Sequence, residues 1–156
     1  MTQPGHEARL AELGIDLPRA VPPAANYVPA RRSGNVVYIA GQVPTADGKD
    51  HFVGKLGRDV SIEDGQKAAR LCAINILAQL RTAMGGSLDD VVGCLRLGGF
   101  VNAVPEFGDH PKVINGASDL MVAVFGEAGR HARAAVGCAS LPRNVAVEVD
   151  AIFEVR

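Results

Sequence analysis

Residues 61–86 read SIEDGQKAARLCAINILAQLRTAMGG, and this stretch decides how the rest of the chain must be arranged. Ser61 supplies a hydroxyl suited to an N-cap, and Asp64 stands three residues on, as in a capping box. Behind it Ala69, Cys72, Ala73, Ile76, Leu77, Leu80, Ala83 and Met84 recur at helical spacing, while Lys67, Arg70 and Arg81 lie off that stripe. Gly85-Gly86 stops the run. A long helix with one apolar face needs something flat to cover.

The flat partner is legible on either side. Val36-Val37-Tyr38-Ile39-Ala40 is a β-branched run bounded by Ser33-Gly34-Asn35 and Gly41, which predicts a strand buried on both faces. Residues 91–101 are apolar and strand-like, with Gly98-Gly99 marking a bulge or the close approach of another backbone. A second helix follows, with Pro111 in its first turn and Val113, Ile114, Ala117, Leu120, Met121, Val124 and Phe125 on one stripe. A strand over about 133–141, a turn at Pro142-Arg143-Asn144 and a strictly alternating last strand complete the pattern. In that strand Val145, Val147, Val149, Ala151, Phe153 and Val155 share one face, and Glu148, Asp150, Ile152 and Glu154 share the other. The turn between the last two strands reads as a hairpin. Residues 7–13 predict a short helix, and the Pro-rich stretch after it runs as an arm over the surface. Residues 44–59 predict a polar, Gly-rich loop with some hairpin character.

The order strand, helix, strand, helix, strand, strand predicts an α+β fold, one sheet with two helices packed on one face. At 156 residues this is one domain, 1–156, with 1–26 as its N-terminal helix and arm. The mixed character of the opposite sheet face predicts a homo-oligomer that covers it.

Composition narrows the function. Sixteen Lys plus Arg against seventeen Asp plus Glu argue against gripping nucleic acid or an anionic membrane. Aromatics at 4% argue against stacking platforms for single-stranded bases. No apolar run approaches the ~18 residues of a membrane span, and the opening MTQPGHEARLAELG lacks the apolar stretch of a signal peptide. Cys72, Cys94 and Cys138, odd in number and widely spaced, fit free thiols in the cytoplasm, with Cys138 as a small core residue. His6, His51, His110 and His131 have no metal-ligand spacing, so no metal is expected. The chemistry gathers at the C-terminal end. Arg130, His131 and Arg133 cluster where a helix hands over to a strand, and Glu148 stands fifteen residues beyond Arg133 in an otherwise apolar strand. Arg can fork onto a carboxylate, and a partly dry Glu can move a proton to or from water. The same two residue types also form ordinary structural ion pairs.

The segments SGNVVYIAGQVP (33–44), SIEDGQKAA with its AINIL (61–77) and ARAAVGCASLPRNVAVEVDAI (132–152) together resemble the RidA family, also called YjgF or L-PSP. The likeness runs over roughly residues 27–155. It implies a chorismate-mutase-like fold assembled as a homotrimer with clefts between subunits, and it places the last strand between others rather than in a hairpin. It implies hydrolysis of reactive enamine and imine intermediates such as 2-aminoacrylate to a ketoacid and ammonia, with no cofactor. Carried over by position, Arg133 holds the carboxylate of the imine or ketoacid ligand and Glu148 orients and polarises water. Tyr27 and Asn115 line the cleft, and Gly41 lends its backbone. Asn102 rivals Asn115 for its place. Two positions depart from the deaminase pattern: Ala40 replaces a usual Ser, and Ala135 a usual Cys, so the cleft loses polar groups. A carboxylate-binding trimer without turnover is therefore the alternative. An endoribonuclease or translation-inhibitor role gains little from this charge balance and from the lack of a poised His pair.

Overall fold

The computed structural model describes residues 3–156; Met1 and Thr2, the first positions of the expected 1–26 arm, lie outside the described residues. Helix α1 (His6–Glu12) leads into the irregular arm, followed by β1 (Ala30–Ser33) and β2 (Val36–Gln42). A two-strand hairpin, β3 (Thr45–Ala46) with β4 (Lys49–Asp50), precedes α2 (Ile62–Ala83). Then come β5 (Val91–Asn102), α3 (His110–Phe125), β6 (Ala132–Cys138) and β7 (Val147–Val155).

The main sheet runs β1-β2-β7-β5-β6. All its pairs are antiparallel except β5 with β6. The hairpin that the local pattern suggests through Pro142 does not form, and the last strand sits between others as the family resemblance implies: β7 lies between β2 and β5, and β6 is an edge strand on the far side of β5. The reason is burial. β7, apolar on its inner face and mixed on its outer one, gains two neighbours at the centre of the sheet, whereas β6 reaches β5 in parallel through the α3 crossover.

Both long helices pack on the same face. Val147, Val149, Ala151 and Phe153 point inward to meet α2, and every one is buried. Ser61 caps α2 by accepting the Asp64 N–H at 3.1 Å, and Gly85 and Gly86 end it with φ of +81° and +111°. Gly98-Gly99 is a place of close approach, not a bulge. A Cβ on Gly99 would lie 2.6 Å from Ile114 of α3, so the missing side chain lets the helix settle on the sheet. The bulges of β5 lie nearer its start, between Val91 and Gly93 and between Cys94 and Arg96.

Two expectations need correction. β2 is buried on one face only: Val37 and Ile39 are enclosed, while Tyr38 is 49% exposed. Much of the outer sheet face is open among the described residues, where Leu95 and Val136 are also exposed. Cys138 is half-buried at the end of β6 instead of sitting in the core; Cys72 and Cys94 are buried.

Candidate functional site

The sequence-predicted residues fall into two groups on opposite faces of the sheet. Arg133 stands opposite Leu97 in the parallel β5/β6 register, and Leu97 faces the helices. Its guanidinium accordingly reaches α3. Nη1 donates to Asn115 Oδ1 at 2.8 Å and to Ser118 Oγ at 3.1 Å, and Nη2 donates to the Pro111 carbonyl at 3.4 Å. Pro111, Asn115 and Ser118 stand at i, i+4 and i+7, one face of α3. The Nε–H has no protein acceptor among the described residues, and Nη2, which carries two protons, makes only the one long bond to Pro111. These two donors form the parallel fork that fits a carboxylate. Ala135 follows on the same face of β6, opposite Gly99.

The rival asparagine has another task. Asn102 is fully buried and donates to Asn144 Oδ1 at 2.9 Å and to the Val145 carbonyl at 3.1 Å, while Lys55 Nζ donates to its Oδ1 at 2.8 Å. That network ties three loops together and does not touch Arg133.

The second group surrounds Glu148. This residue stands opposite Phe100 and shares the outer face with Asp150, whose carboxylate lies against Gly98. Gly41 occupies an irregularity of β2 between Ile39 and Gln42, and a Cβ there would come within 3.0 Å of the Glu148 carboxyl carbon. The missing side chain thus lets the carboxylate lie close against the β2 backbone, and any larger residue would push it away. Tyr27 and Val21 of the arm, with Arg143, complete a cavity of about 210 Å³ around Gly41 and Glu148.

Glu148 makes no ion pair among the described residues. Burial raises its carboxyl pKa, repulsion from Asp150 raises it further, and Arg143 pulls it back in part. The ion-pair reading of Arg133 with Glu148 is thereby excluded within one chain. β6 and β7 are separated by β5, about 10 Å across two strand spacings, and the two side chains leave opposite faces.

Sequence reasoning missed Arg143. It follows Pro142 with a φ of +54°, and its guanidinium grips Asp50 of β4 with bonds of 2.6 and 2.9 Å. Its left-handed backbone carries no signal in a Pro-Arg-Asn triplet, and the partner is 93 residues away. Ser118 was missed as well, and His131 was singled out only as a member of the basic cluster, because only the fold links it to Arg133 through Ser118. Burial raises the thiol pKa of Cys72 strongly and that of Cys94 to about 12, so neither is an available nucleophile at neutral pH.

Comparison with known proteins places this geometry. Residues 7–155 match the family described as "YjgF/chorismate mutase-like, putative endoribonuclease". Protein TCP17 of Trypanosoma cruzi is 47% identical over 148 residues, covering 94% of this chain and 92% of its own. The crystal structure of Atu1372 from Agrobacterium tumefaciens, described as of unknown function, is 53% identical with a TM-score of 0.90 over 97% of this chain and 92% of that one. RidA from the Antarctic bacterium Psychrobacter sp. PAMC 21119 is 28% identical with a TM-score of 0.59, covering 88% and 93%. With nearly the whole chain matched and the sheet order accounted for, the chain belongs to the YjgF/RidA family.

Proposed function

We propose that the protein hydrolyses small enamine and imine acids of the 2-aminoacrylate type to ketoacid and ammonia, at a site shared between two copies of the chain in a homotrimer. The observation that carries this reading is the division of the site. An arginine with its carboxylate-binding edge free and a half-buried, unpaired glutamate lie on opposite faces, and each needs the other from a neighbour. The exposed Tyr38, Leu95 and Val136 on the outer face agree with burial between copies.

The chemistry asks for little. The enamine tautomerises to the imine, whose carbon is already electrophilic. Arg133 of one copy holds the carboxylate in its fork, and Glu148 of the next accepts a proton from the water that forms the new C–O bond. That proton passes to the imine nitrogen to give the carbinolamine; its hydroxyl then gives up the second proton, which Glu148 carries to the nitrogen, so that the C–N bond breaks and ammonia leaves with the electron pair as the C=O closes. A carboxyl with its pKa raised by burial is better suited to this two-way transfer than an ordinary one. Positioning supplies the rest.

The test couples purified protein to a pyridoxal-phosphate dehydratase that generates 2-aminoacrylate. Faster pyruvate formation is expected. Ketoacid binding without any acceleration would favour the carboxylate-binding trimer, the outcome that Ala40 and Ala135 make worth measuring.

A further inference from the structure

We propose that Ser118 and His131 are positioning residues that aim the Arg133 guanidinium, an inference that rests on reading Arg133 as the carboxylate-binding group. The hydrogen positions follow from the partners. His131 Nδ1 lies 2.7 Å from the Gly129 carbonyl, which only accepts, so Nδ1 carries the proton. In the neutral ring Nε2 is then bare and accepts the Ser118 hydroxyl at 2.8 Å. The one hydroxyl proton of Ser118 is thereby committed, and its oxygen accepts from Arg133 Nη1 at 3.1 Å. Arg133, Ser118, His131 and Gly129 form a chain in which every bond runs the same way, so each polarises the next.

The far end of this chain is rigid. A Cβ on Gly129 would lie 2.2 Å from the Met121 carbonyl, so the Gly129 backbone is seated directly on α3. Asn115 Oδ1 takes the second Nη1 proton, which leaves that nitrogen with no free donor. The guanidinium plane is thus fixed along its Nη1 edge, and the Nε–Nη2 fork is the edge left for a ligand. Asn115 is exposed and Ser118, His131 and Arg133 are only partly buried, so their hydrogen bonds serve the direction of the arginine more than the stability of the fold. Preorganising a long, flexible side chain is what such a chain of bonds accomplishes.

The experiment is calorimetric titration of pyruvate into the wild type and the variants Arg133→Ala, Ser118→Ala, Ser118→Thr, His131→Phe and His131→Gln. Ser118→Ala and His131→Phe are expected to weaken binding about fivefold to tenfold, the order of one lost hydrogen bond to a charged group. Ser118→Thr keeps the hydroxyl and His131→Gln keeps an acceptor near the Nε2 position, so both should return to within about twofold of wild type. A second readout needs no ligand: the imidazole ¹⁵N spectrum of His131 should show the Nδ1–H tautomer, with Nε2 shifting in Ser118→Ala. Wild-type affinity in Ser118→Ala and His131→Phe, with binding lost in Arg133→Ala, would overturn the relay and leave the reading of Arg133 standing. An Nε2–H tautomer would overturn it too. Pyruvate binding that is absent in the wild type, or unchanged in Arg133→Ala, would overturn the reading of Arg133 and the relay's role together.

Discussion

Glu148 is held at a cost to the chain that carries it. Its carboxyl pKa is raised, with burial as the first cause and Asp150 as the second. A raised carboxyl favours folding while protonated and loses that contribution as pH climbs through its folded pKa. Glu148→Gln should therefore raise the melting temperature at neutral and alkaline pH. The gain should shrink as the pH falls through the raised folded pKa and vanish once the pH is below the ordinary carboxylate value, and thermal scans from pH 4 to 8 follow it. An equal gain at every pH would point to packing instead of charge. The same variant should still bind pyruvate while the turnover proposed here falls, because an amide cannot take the proton. Arg133→Lys should do the opposite. It keeps a positive charge and loses the fork, so calorimetric affinity for pyruvate should fall about tenfold or more. Residue types were legible at this scale, and so was the fifteen-residue spacing of Arg133 and Glu148. Their orientation was not, since the face a side chain leaves depends on register with strands far away in sequence.

The elements meet through glycines whose missing side chains set the distances. A Cβ on Gly116 would lie 2.0 Å from the Gln66 carbonyl of α2, and one on Gly99 would press into Ile114. Gly116→Ala and Gly99→Ala are each expected to destabilise by about 1–3 kcal/mol, the range of overpacking, despite the better helix propensity of alanine at 116. Gly108 lies in the loop before α3 with nothing within 4 Å of its added Cβ and no positive φ. Gly108→Ala should stabilise by about 0.4–1 kcal/mol through the unfolded chain alone. Urea titrations of the three variants separate close approach from chain entropy. The 3–4 spacing of the two long helices located them in the sequence to within a few residues. That Gly116 is the contact point of α2 with α3 required the packed pair.

At the scale of the molecule the two half-sites call for a neighbour. Light scattering in dilute solution is expected to give three chains, and a stable monomer would refute the shared site. A sharper measurement mixes two inactive variants. Arg133→Ala and Glu148→Gln, refolded together, should recover part of the proposed activity, because some sites then pair an intact Arg133 with an intact Glu148 from different chains. Recovery in the mixture, with none in either variant alone, is the expected signature; a mixed trimer as inactive as its components would refute the shared site.

The sequence alone determined the α+β class, the two one-sided helices, the caps of α2 and the residue types able to bind a carboxylate and move a proton. All of these rest on local periodicity, short-range capping chemistry or fixed functional groups. Strand order was decided by tertiary structure, because placing β7 at the centre buries more apolar surface than the nearby hairpin would. So was the one-sided burial of β2, since Tyr38 on its outer face is left exposed among the described residues. The Asp50–Arg143 pair and the link from Arg133 through Ser118 to His131 join distant segments by single contacts. No pattern in the chain encodes such contacts until the sheet and α3 have set the distances.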